Sequence, residues 1–115
     1  MYQALGLAVL ARIAVTDGDV SRAVELSERA LASCEHAITA TGAPTIYLSR
    51  FIALEAAGRH DDARDALRAG LRRVTRLVAN LGEYRASFLS AYECPALLER
   101  AREHGLELDR DGAVP

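Results

Sequence analysis

Apolar residues along this chain recur at steps of three and four, strand-like alternation is absent and β-branched residues are sparse. That pattern predicts helices from end to end. The first spans about residues 2–16. Gly18 suits the left-handed position after a helix, and Asp19 the cap of the next. The second runs over about 20–39, with Val24, Leu26, Ala30, Leu31 and Ile38 apolar. "TATGAP" (39–44) breaks it, with Gly42 as the stop and Pro44 as the start. A third helix covers about 44–57 and ends at Gly58. A fourth starts near His60, where Asp61 and Asp62 favour its positive end, and reaches about Asn80. A short fifth helix is expected near 84–92. A sixth falls within 93–105, between Pro95 in its first turn and Gly105 just past its end. Residues 1–108 then form one domain, and 109–115 are expected to be a disordered tail.

The first helix carries apolar residues nearly all round: Leu5, Val9 and Ile13 on one side, Leu7, Leu10 and Ala14 on another. A helix that ends a stack needs one polar face. Its second face is therefore expected to meet a preceding repeat, a second copy of the chain or a ligand peptide. The alternative is that the fifth or sixth helix folds back over it.

Composition narrows the picture. The chain has 115 residues, enough for one core without staples. All 14 basic residues are Arg, and the formal net charge is −2, which disfavours an electrostatic mode of the whole domain on nucleic acid or membrane. Cys34 and Cys94 are too few for a disulfide framework and neither lies in a CxxC, so a reduced, cytoplasmic setting is expected. The apolar start is interrupted by Arg12 and is too short to span a bilayer.

The chain also writes one outline twice. "VTDGDVSRAVELSERALAS" is answered forty residues on by "AAGRHDDARDALRAGLRRV". Gly18 falls on Gly58, Ala23 on Ala63, Leu7 on Tyr47, Ala11 on Phe51, Ala14 on Leu54, Ala30 on Gly70 and Leu31 on Leu71. Two helical hairpins are implied, each with a Gly turn. The small residues Ala23 and Ala63 sit one turn into the second helix, where it crosses the first.

These segments resemble tetratricopeptide repeats (TPR). The likeness rests on Gly18 and Gly58, the small residues Ala23 and Ala63, Ala30 and Gly70 further on, and the large-then-small pattern of Leu7, Leu10 and Ala11. It covers about residues 4–76. It departs where the family's closing Pro would stand, at Glu35 and Thr75, at Phe51 where a small residue is common, and in a period longer than the usual roughly 34 residues. The resemblance implies an all-α, TPR-like α-α superhelix of two helical hairpins plus a C-terminal helix pair. "YRASFLSAYECPALLERAREHGL" is similar to the segment that closes such repeats in large bacterial signalling ATPases and regulators. The implied function is a protein–protein interaction or scaffold module of a bacterial regulatory protein, not an enzyme. By the family's geometry the first helices line a groove, with Leu5, Ala8 and Arg12 beside Thr45, Leu48, Ile52 and Glu55. Leu48 and Ile52 would suit an amphipathic helix or another protomer, or would be buried by the fifth helix.

Candidate chemistry is thin. His36, His60 and His104 are scattered, and no pair has metal-ligand spacing, so neither a metal nor a cofactor is expected. His60 reads as a capping residue. Cys94, just before Pro95, reads as a helix cap whose thiol would be mildly activated, or as a small residue filling a helix entry. No nucleotide-binding or nucleophile motif occurs. The sharper feature is Arg64, Arg68, Arg72 and Arg76, every fourth residue of the fourth helix, with Arg73 beside them. Such a stripe would receive phosphates, an acidic segment or a nucleic-acid backbone. The alternative is a solvated face balanced by Asp61, Asp62 and Asp65.

Overall fold

The computed structural model describes residues 2–34, 42–79, 81–91 and 93–106. These form six α-helices and no strand: α1 (Tyr2–Thr16), α2 (Val20–Cys34), α3 (Ala43–Ala56), α4 (His60–Val78), α5 (Arg85–Leu89) and α6 (Cys94–Glu103). A single 3₁₀ turn, Gly82–Tyr84, leads into α5. The expected fifth helix is thus shorter than its pattern, because the 3₁₀ turn takes its first residue, Tyr84, and Ser90 ends it. The 35–39 part of the expected second helix and the 109–115 tail lie outside the described residues.

Helix ends follow from local chemistry. After α1, Gly18 adopts φ 81°, and the Asp19 amide donates to the Ala14 carbonyl at 2.9 Å. Forty residues on, Gly58 adopts φ 75°, and the Arg59 amide donates to Leu54 at 2.9 Å. Only a residue without Cβ takes this conformation freely, and the six-to-one bond satisfies a carbonyl the helix leaves open. α6 closes the same way, Leu106 donating to Ala101 at 2.8 Å. Pro44 and Pro95 stand in the first turns of α3 and α6, where no amide is needed.

α1 packs on α2, and α3 on α4. α3 also packs on both α1 and α2; in the same manner α6 packs on both α3 and α4. The core is correspondingly in two parts. The N-terminal part is built mainly from alanine: Ala4, Ala8, Ala11, Ala14, Ala23 and Ala30, with Leu7, Leu26 and Ile46. The C-terminal part is larger-grained: Leu48, Phe51, Leu54, Leu67, Leu71, Val74 and Val78, closed by Phe88, Leu97 and Leu106. Ala23 and Ala63 are both fully buried at their crossings. Gly70 serves a third close approach, since a Cβ there would lie 2.9 Å from Tyr47 Cβ.

α2 and α3 are joined by a polar contact as well. Arg50 Nη1 donates to the Val24 carbonyl at 3.3 Å and to the Ser27 hydroxyl at 3.2 Å, and Ser27 is fully buried. That satisfies groups which would otherwise be costly inside the interface. No helix among the described residues is long and apolar enough to cross a membrane.

Candidate functional site

Three surfaces carry the residues singled out by the sequence. The first is the groove expected between α1 and α3. Thr45, Leu48, Ile52 and Glu55 share one face of α3, at helical spacing. Arg12, Leu48 and Ile52 do meet, around a shallow concavity of about 320 Å³. Val15 and Thr16 extend the α1 side, and the third wall comes from Glu93, Ala96 and Arg100, on or next to α6. α6 therefore stands beside the groove and takes part of it. Leu48 is buried in the C-terminal core, and Ala8 is fully buried in the N-terminal one. Leu5 packs half-buried against that second core. Glu55 turns to its own helix end, where His60 Nδ1 lies 2.8 Å from Glu55 Oε1. His60 is the first residue of α4 and no side chain caps that helix, so its expected capping role is not seen.

The residue that sequence reasoning missed is Glu93. It sits at the N-terminus of α6 with φ 63°, the one non-glycine at positive φ among the described residues. Arg12 Nη2 donates to its Oε2 at 2.6 Å, and Thr45 Oγ1 donates to its Oε1 at 3.1 Å. One carboxylate thus ties α1, α3 and α6 together. The only local signal was an acid immediately before Cys94-Pro95.

Of the two readings of Cys94, its burial at the first position of α6 agrees with a small residue filling a helix entry and not with an activated thiol. It is fully buried among Leu97, Ala101 and the α4 side chains, and burial pushes its pKa from 9.0 up to about 11. At that position desolvation of the thiolate outweighs the field of the helix end.

The second surface is the outer face of α1. Val9 and Ile13 are 50% exposed and Leu10 48%, with Gly6 exposed beside them. Neither α5 nor α6 covers it. The forty-residue offset sets these positions against Ile46, Ser49, Arg50 and Ala53 of α3. There Ile46, Ser49 and Ala53 are at most 1% exposed, and Arg50 bonds to α2. The face that α3 buries against the preceding helix pair is the face that α1 leaves open.

The third surface is the Arg series of α4, which divides in two. Arg64 is exposed within the acidic first half, and Arg68 Nη1 pairs with Asp65 Oδ1 at 3.2 Å. Asp62 is taken by Arg59 at 2.8 Å. Arg72, Arg73 and Arg76 instead surround a concavity of about 240 Å³ with Tyr47 and Ala69. None of these three guanidinium groups has an ion-pair or hydrogen-bond partner among the described residues, and no Asp or Glu occurs between Asp65 and Glu83. No cluster among the described residues could hold a metal ion.

Comparison with protein-family models, curated proteins and solved structures returns no match to this chain.

Proposed function

We propose that this chain is a TPR-like protein–protein interaction module, non-catalytic, that associates with a second copy of itself through the open face of α1. The observation that carries this is the pairing of Gly6, Val9, Leu10 and Ile13, exposed on α1, with the covered positions 46, 49, 50 and 53 of α3. A face used once inside the molecule to hold a helix pair is repeated at its surface, without the polar side chains that normally end a stack. The absence of a bulky side chain at Gly6 allows close approach of a partner helix, since nothing lies within 4 Å of a Cβ placed there.

The second copy is favoured over a head-to-tail neighbour because α6 already lies on α3 and α4. What remains is α1 against α1, a two-fold, self-complementary contact. The groove between α1 and α3 becomes the secondary reading, since α6 takes part of it and Arg12 and Thr45 are engaged with Glu93. Three large apolar side chains, Val9, Leu10 and Ile13, fall well below the roughly 800 Å² per partner of a stable interface, so a weak dimer is expected.

Sedimentation velocity over a wide concentration series tests the reading. A monomer–dimer equilibrium that Ile13→Glu abolishes supports it. A strict monomer at high micromolar concentration sinks it, and an Ile13→Glu dimer relocates the contact to another face.

A further inference from the structure

The C-terminal half of α4 carries a feature that association through α1 does not use. We propose that Arg72, Arg73 and Arg76, with Tyr47 as the back wall, form a binding site for the phosphate group of a small or protein-borne phosphomonoester. Two independent observations carry it. Three guanidinium groups crowd one concavity without a counter-charge, while Arg59 and Arg68 on the same helix region each hold an acid. Separately, Arg73 Nε is withdrawn from solvent with no hydrogen-bond acceptor. A shielded donor left unmatched is costly, and so is unrelieved like charge at this spacing. A ligand oxygen carrying negative charge answers both.

A bland account is that cations near a helix C-terminus complement its dipole. That effect falls off within the last turn. Of the three, Arg76 alone lies there. Arg72 and Arg73 stand further back, so the dipole does not account for their grouping.

The dimensions select the ligand. Residues 72 and 76 are about 6 Å apart along the axis, which suits donors on two sides of one tetrahedral anion. Guanidinium forks match phosphate oxygens in pairs. A concavity of about 240 Å³ lies below the usual size of a whole-ligand pocket, so the phosphate is held and its substituent points to solvent. Gly70 shapes the wall, because its missing Cβ lets Tyr47 approach the helix. Duplex nucleic acid fits less well, as the net charge of −2 gives no long-range attraction.

The test is an NMR titration of the full chain at low ionic strength with three probes: inorganic phosphate, O-phosphoserine and a short DNA duplex. The expected result is saturable shifts from phosphate and O-phosphoserine, centred on residues 72, 73 and 76. Affinity should fall by roughly tenfold or more in Arg72→Gln/Arg76→Gln and stay unchanged in Arg22→Gln/Arg29→Gln on α2. Both paired residues are exposed, so the fold should persist, and an unchanged amide spectrum verifies it. Tighter binding of O-phosphoserine assigns the site to phosphorylated protein; equal binding assigns it to small phosphomonoesters, of which the phosphate alone is read. Linear, non-saturating shifts overturn the proposal, as does equal loss in both variants. Duplex binding where neither small anion saturates overturns it in favour of a nucleic-acid surface.

Discussion

Glu93 accepts a 2.6 Å hydrogen bond from Arg12, and the two residues lie 81 positions apart in the chain. The same carboxylate takes Thr45, so the start of α6 is registered against both α1 and α3. Glu93 holds a left-handed conformation to do so. Strain of this kind persists where surrounding contacts over-determine it.

Replacing Glu93 with Ala should therefore lower stability by about 1 kcal/mol, less than a buried charge pair because both side chains are about one third exposed. Glu93→Gly should cost less, since glycine adopts φ 63° without strain. In urea unfolding, Arg12→Ala should add little in the Glu93→Ala background. Full additivity of the two changes would show that the bond contributes nothing.

Two glycines inside helices should respond oppositely to alanine. Gly70→Ala places a methyl 2.9 Å from Tyr47 Cβ and 3.4 Å from Leu97 Cδ2, so overpacking of about 1–3 kcal/mol should exceed the gain in helix propensity. Gly6→Ala meets open space and should stabilise by about 0.5–1 kcal/mol. Thermal melts of both variants measure the contrast.

The Cys94 thiol should resist alkylation at neutral pH while the protein is folded. Its folded pKa of about 11 exceeds the ordinary 9.0, so the folded state binds the proton more tightly. The contribution is complete below pH 9 and is lost as pH rises from about 9 to about 11. Denaturant midpoints across that window should fall in the parent and fall less steeply in Cys94→Ala.

The repeat offers a substitution of its own. Leu10 corresponds to Arg50, which bonds to α2, whereas Leu10 is about half exposed. Leu10→Arg should leave stability within about 0.5 kcal/mol, as for other surface changes. Arg50→Ala should cost about 1 kcal/mol, because the buried Ser27 region loses two bonds. Urea midpoints of the two variants separate these outcomes.

The helix boundaries were legible because they are written in local chemistry. Gly18, Gly58 and Gly105 mark ends, while Pro44 and Pro95 mark starts. The conflict in α1, apolar on too many sides, was also visible, and half-exposed Val9, Leu10 and Ile13 are its structural counterpart. Glu93 was not legible, because its partners are 81 and 48 residues away and nothing local announces a bridge. The choice between the two readings of Cys94 was not legible for a related reason: its helix-start position is in the sequence, but its burial depends on where α6 docks. The Arg series looked uniform by spacing, yet Asp65 reaches Arg68 and no acid follows it to reach Arg72, Arg73 or Arg76.

The uneven grain of the core has a kinetic consequence. Small side chains remove less apolar area from water, and the α1–α2 pair is held mainly by alanines while α3, α4 and α6 share leucines, valines and phenylalanines. Opening should then begin at the N-terminal pair, with amides of α1 and α2 exchanging through a partial unfolding that leaves α3, α4 and α6 protected. A partner seated on α1 would slow exchange first in the segment that opens most readily.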